Sequence, residues 1–203
     1  MMKYIFAALF LGVLAGYFTD AFGFSWLKVA VSDYGFNLAL IALLFFMGVL
    51  FGKDKEALAK LRREGLKILV FPIAIASGSI IGGLVGGFLL RTNVLASMGV
   101  CAGYGWYTLA GPLAGQLFGI EWGAIGFVVN FLRELTTITT VSLARKIDKY
   151  APVAMGGATA MDTTLPFIIR YCGQDTLMAA FISGFALTMM APFAITAIAA
   201  LPH

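Results

Sequence analysis

The run Asn130-Phe131-Leu132-Arg133-Glu134 sets an amide, a base and an acid inside the otherwise apolar stretch 122–144. Seating an ionisable side chain at the centre of a bilayer costs about 3 kcal/mol even on the gentler insertion scales, so such residues mark a pathway or a partner. At about 100° per residue, Asn130, Glu134 and Thr137 share one helix face, while Arg133 falls with Thr136, Thr137 and Thr140. A carboxylate facing a cavity can trade a proton for a cation: burial raises its pKa, a nearby cation lowers it, and one group can then couple two fluxes. The competing reading is a buried ion pair, Arg133 with Asp162 for example, that only locks helices together.

Two stretches resemble one another in the order of their helix-disturbing residues. Residues 103–112 read Gly-Tyr-Gly-Trp-Tyr-Thr-Leu-Ala-Gly-Pro, and residues 156–166 read Gly-Gly-Ala-Thr-Ala-Met-Asp-Thr-Thr-Leu-Pro. Paired interruptions of this kind form the site in many secondary transporters, where half-helix ends aim free N–H or C=O groups at substrate and coupling ion. They also serve as kinks for packing. Asp162, flanked by Thr159, Thr163 and Thr164, can meet a cation, accept a proton, or cap a half-helix. Trp106 and Tyr107 can wall a cavity and stack on an ammonium group, or pack against neighbouring helices. Gly78, Gly82, Gly83, Gly86 and Gly87 fall at small-xxx-small spacing and permit close backbone approach, an architectural role. The sequence holds no Walker motif, no metal-ligand spacing and no nucleophile set, so neither an enzyme nor a cofactor is expected.

These groups need elements to hold them, and the composition says where those elements lie. Of 203 residues 61% are hydrophobic and 12% charged, against about a quarter charged in soluble domains, so the chain belongs in a bilayer. Disordered tails, nucleic-acid modules and disulfide-stapled secreted domains need charge, basic runs or cysteines that are missing. Cys101 and Cys172 lie in or beside apolar runs and read as small hydrophobes. A hydrocarbon core about 30 Å thick needs about 20 apolar residues per helix, a ruler that predicts spans at 4–18, 34–52, 67–90, 122–144 and 176–200. The stretches 94–118 and 152–169 are apolar but interrupted, and read as broken, re-entrant segments.

Charge orients them. Ten of the 14 basic side chains are Lys3, six in the loop 53–67, and Arg145, Lys146 and Lys149. Basic loops face the cytoplasm, and only a re-entrant 94–118 brings all three groups to that side. The fold expected is therefore an all-α polytopic membrane protein, a single transport domain over 1–203, with its amino terminus inside and its carboxyl terminus outside. The loop 53–67, with Leu58 and Leu61 among charges, reads as a short amphipathic helix at the cytoplasmic headgroups.

Three ordered motifs resemble the lysine exporter (LysO) family of prokaryotic inner membranes. They are Gly105-Trp106-Tyr107 with Leu109, Ala110 and Gly111; Asn130-x-x-Arg133-Glu134; and Gly157-Ala158-Thr159-x-Met161-Asp162-x-Thr164-Leu165-Pro166. The resemblance implies export of L-lysine and lysine analogues, by proton antiport through intramembrane carboxylates, with Glu134 as one of them. Asn130, Arg133, Thr159, Asp162, Trp106 and Tyr107 complete the expected substrate site. Longer members carry an additional amino-terminal block of about three helices with another functional acid, so a separate small membrane subunit or a homo-oligomer is an expected partner. Two rivals remain open: a carrier of small organic anions using Arg133 and half-helix N-termini, and a non-transporting membrane subunit whose charges only specify pairing.

Overall fold

The computed structural model describes residues 2–23, 30–35 and 69–202, with scattered positions between 38 and 53. Every regular element among them is helical. The chain divides into two compact units, Met1–Lys55 and Glu56–His203. In the first, α1 (Met2–Ala21) contains the expected span 4–18 and is followed by a π-helical turn, Ala30–Gly35. Most of the expected span 34–52 and of the loop 53–67 lies outside the described residues.

The second unit carries the chemistry. α2 (Val70–Leu90) ends where Arg91 takes a left-handed φ of 52° and, with Thr92, returns its N–H to the last turn. Asn93 then caps α3 (Val94–Cys101), its Oδ1 accepting the Ala96 N–H at 3.0 Å. α4 (Tyr107–Phe118) and α5 (Ile120–Ala144) are joined by Gly119 alone, at φ 109°. A short α6 (Ala151–Gly156) tightens into a 3₁₀ turn, Gly157–Met161, before α7 (Leu165–Cys172). A last 3₁₀ turn, Gln174–Thr176, leads into α8 (Leu177–Ala199). Among the described residues, Val70–Leu90, Ile120–Ala144 and Gln174–Ala199 are long and apolar enough to cross a membrane, matching the spans expected at 67–90, 122–144 and 176–200. The stretches 94–118 and 152–169 are each broken near their middle, as their glycines predict.

α5 is amphipathic in the inverted sense. It buries Asn130, Glu134 and Thr137 along with Gly126, Val141 and Ala144, and exposes Val128, Phe131, Leu132 and Leu135. In water that arrangement would leave an apolar stripe wet; in a bilayer the stripe meets acyl chains and the polar face is kept for protein. The backbones close on one another through glycine. A Cβ on Gly126 would stand 2.9 Å from the Ala110 carbonyl oxygen, and one on Gly123 would stand 3.1 Å from the Gly115 Cα, so α4 and α5 touch main chain to main chain. Gly83 and Gly87 do the same for α2 against α3, while Gly78, Gly82 and Gly86 face open space. The glycine stripe of α2 is therefore split, one row packed and one free. Gly184 of α8 seats on the 3₁₀ turn, 2.8 Å from the Ala158 carbonyl oxygen by the same measure.

Candidate functional site

The two breaks meet. After α3 the chain turns through Tyr104, at φ 53°, and Gly105, at φ 100°, before α4 begins. Tyr104 is wholly buried, and its carbonyl accepts the Ala158 N–H of the second break at 2.8 Å. Gly157, at φ 62°, lies against the same carbonyl, and any side chain there would collide with it. A left-handed tyrosine is an uncommon conformation that persists where its surroundings over-determine it, and such positions gather at functional sites.

α5 holds both breaks from one side. Asn130, 2% exposed, accepts the Gly105 N–H on Oδ1 at 2.7 Å and donates Nδ2 to the carbonyls of Val100 and Gly126, each at 2.9 Å. Arg133 donates Nε to the Met155 carbonyl at 2.8 Å, Nη2 to the Ala154 carbonyl at 3.0 Å and Nη1 to Ser79 Oγ at 2.8 Å. The Arg133–Asp162 ion pair weighed from the sequence is not formed; among the described residues the ion pair joins Lys149 to Asp175, both exposed. Thr137 faces Gly156 and returns its hydroxyl to the Arg133 carbonyl at 2.8 Å.

Between Asn130 and Thr137, on that same face, sits Glu134. It is 9% exposed, and its Oε2 is buried with no hydrogen-bond partner among the described residues. Such an atom bears the full cost of desolvation, about 1–3 kcal/mol and more when charged, unless a proton, water or ligand meets it. Tyr107 stands partly buried at the start of α4. Its ring packs edge-on against Phe127 and Phe131, at 5.3 and 5.7 Å between centroids. Asp162 is exposed and turns its carboxylate onto the Thr163 N–H at 2.5 Å; α7 has no side-chain cap. Thr159 is buried, with its hydroxyl on the Gly156 carbonyl at 3.0 Å, and Trp106 is half-buried where α4 starts. So Asn130, Arg133 and Thr159 have hydrogen bonds committed to backbone or to Ser79, while Glu134 has a buried carboxylate oxygen without a partner among the described residues.

A family model described as lysine exporter LysO matches residues 6–199. The chain belongs to that family. The "Lysine exporter LysO" of Escherichia coli is 30% identical over 187 residues, covering 90% of this chain and 60% of that protein. The chain thus spans about three fifths of the length of this relative. A Haemophilus influenzae protein, "Putative lysine exporter", is 25% identical over 205 residues, covering 99% of this chain and all of the relative. No solved structure matches. Family membership and the membrane-length helices make the chain a multi-pass protein of the cytoplasmic membrane.

In this family member the structure adds residues that sequence reasoning passed over. Tyr104 has its hydroxyl buried without a hydrogen-bond partner, and so does Ser183 of α8, among the described residues. Ser79 of α2 receives Arg133. The position of Tyr104 between Gly103 and Gly105 was the available signal: a bulky residue inside a turn built from glycines is held there by something. Ser79 and Ser183 gave none, since a lone serine in an apolar helix is common. Cys101 and Cys172 are free thiols, half-buried. Among the described residues no three His, Cys, Asp or Glu side chains gather where a metal ion could sit.

Proposed function

We propose that the chain exports L-lysine and related cationic amino acids by proton antiport, with Glu134 exchanging a proton for the substrate ammonium. One observation carries the reading: a carboxylate oxygen buried at the junction of two broken helices, with the hydrogen bonds around it committed elsewhere. An acceptor kept free in a low-dielectric setting binds a proton or an ammonium group, and it cannot hold both. Facing inward, Glu134 releases its proton as lysine binds. Facing outward, it gives up lysine and takes a proton back.

The other residues support that exchange. In this reading Tyr107 and the exposed Asp162 carboxylate contribute to the substrate path, with Trp106 and Thr159 beside the breaks. Asn130 and Arg133 belong to the site through the backbone they hold. In this reading the whole chain, 1–203, acts as one transport domain, with 94–118 and 152–169 re-entrant, the amino terminus inside and the carboxyl terminus outside. By resemblance, a separate small membrane subunit or a second copy of the chain supplies a further acid. The anion-carrier alternative needs Arg133 free to meet a substrate, and its three hydrogen bonds weigh against that.

The test is efflux of labelled lysine from proteoliposomes under an imposed proton gradient. Glu134→Gln keeps the shape and removes the exchangeable charge, so efflux falls at least about tenfold and ceases to respond to the gradient. Proton-coupled efflux at the wild-type rate would overturn the proposal.

A further inference from the structure

Arg133 is a cation in the middle of a membrane helix, and such a charge needs a counterpart. No carboxylate among the described residues pairs with it. Its partners are instead the carbonyls of Ala154 and Met155, the last residues of α6 before Gly156, and the hydroxyl of Ser79 on α2. The Ala154 carbonyl is an orphan of the break. In a continued helix the Ala158 N–H would bond to the Ala154 carbonyl, but it is turned to Tyr104 instead. The carbonyl end of a helix also carries about half a negative charge, which a guanidinium can offset. Glycine makes room for it: a Cβ on Gly157 would lie 3.0 Å from Nη2, and one on Gly105 would lie 3.7 Å from Cδ.

We infer that Arg133 is a positioning residue and not a ligand of the substrate. It caps the carbonyl end of α6 and ties that end to α2 through Ser79, fixing the second break against α5 beside Glu134. Because the guanidinium is satisfied by dipoles, the carboxylates of Glu134 and Asp162 are left without an arginine partner. What Arg133 positions is the site of the proposed exchange, so the inference rests on that reading for its consequence in transport; the latch itself rests on geometry alone.

The experiment uses the full chain in nanodiscs and proteoliposomes, and reads hydrogen exchange of the amides in 151–161 beside the KM and maximal rate of lysine efflux. Arg133→Lys cannot reach three acceptors on two elements. In that variant exchange across 151–161 accelerates at least about tenfold, and the maximal rate falls about fivefold with KM within about twofold of wild type. Ser79→Ala removes one bond of the three and shifts both readouts the same way by about twofold to threefold; on an Arg133→Gln background it adds nothing, as residues acting through one contact do. A rise in KM of about tenfold with wild-type exchange across 151–161 would show a substrate ligand and overturn the latch. Additive Ser79 and Arg133 effects would overturn it too. If the wild-type chain moves no lysine, the export reading falls, while exchange and the Ser79 coupling still decide on Arg133. If Arg133→Lys does not fold, Ser79→Ala alone decides through the exchange of 151–161.

Discussion

Asn130 and Glu134 stand one turn apart on the same buried face of α5, and the chain uses their polar atoms in opposite ways. Both Nδ2 donors and Oδ1 of Asn130 are engaged with main chain on α3, the first break and α5 itself, whereas Glu134 keeps an oxygen free. Asn130→Ala would strand the Gly105 N–H in a buried setting, at about 1–3 kcal/mol, while the Val100 carbonyl keeps the Gly103 N–H at 3.1 Å. The expected outcome is a loss of about 1–3 kcal/mol in folding stability, read by denaturation in detergent micelles, with lysine efflux falling alongside. Asn130→Asp keeps the acceptor for Gly105 but sets a buried carboxylate against the Val100 and Gly126 carbonyls, so it should be no more stable than Asn130→Ala at neutral pH. Glu134→Gln, by contrast, should leave stability within about 1 kcal/mol of wild type or raise it, since a neutral amide is cheaper to bury than a carboxylate, while transport is lost. That separation of stability from activity distinguishes a positioning residue from an exchanging one. Helical periodicity in the sequence placed Asn130, Glu134 and Thr137 on one face, and the structure agrees. It could not assign partners, because a face is a property of one helix and a hydrogen bond is a property of two.

At the scale of the elements, the crossing of the two breaks depends on backbones that approach without side chains between them. Gly157 is left-handed and pressed against the Tyr104 carbonyl, so Gly157→Ala meets a steric clash and an unfavourable φ together. It should remove the Ala158–Tyr104 hydrogen bond and displace Arg133, giving a chain recovered in much lower folded yield by size-exclusion chromatography, or one inactive in efflux. Gly82→Ala is the control. It lies in the glycine-rich helix α2, and among the described residues nothing stands within 4 Å of the added Cβ. There alanine should be neutral or stabilising by about 1 kcal/mol, the gain in helix propensity, unless that row of α2 is covered in the membrane. Equal damage from both substitutions would mean that the free row is an interface. The spacing of glycines along α2 was visible in the sequence, and it could not tell the packed row of Gly83 and Gly87 from the row of Gly82. The breaks themselves were legible, because glycine and proline disturb a helix locally and need no tertiary information to do so.

For the whole molecule, the proposed path of 94–118 rests on charge and not on helix length. α3 has eight residues and α4 has twelve, about 12 Å and about 18 Å at 1.5 Å per residue, so neither crosses alone and both together just match a core of about 30 Å. The proposed re-entrant path follows from charge: it would bring Thr92 and Glu121 out on the outer side and keep the turn holding Arg145, Lys146 and Lys149 inside. A single crossing would put Thr92 and Glu121 on opposite sides and send three basic residues outward. Replacing Cys101 and Cys172 with alanine and introducing one cysteine at a time, at Thr92, Glu121, Asp148 or Gln174, distinguishes these paths by labelling with an impermeant maleimide in intact cells and in inverted vesicles. Cysteines at 92 and 121 should label from outside, and those at 148 and 174 from the cytoplasm. Opposite labelling of 92 and 121 would make the first broken segment a full crossing. The second break would still meet it at Tyr104 and Ala158, since that contact belongs to the breaks and not to the direction in which the chain leaves them. Glu134 would then sit between two crossing half-helices, with the same free oxygen and a different pair of aqueous routes.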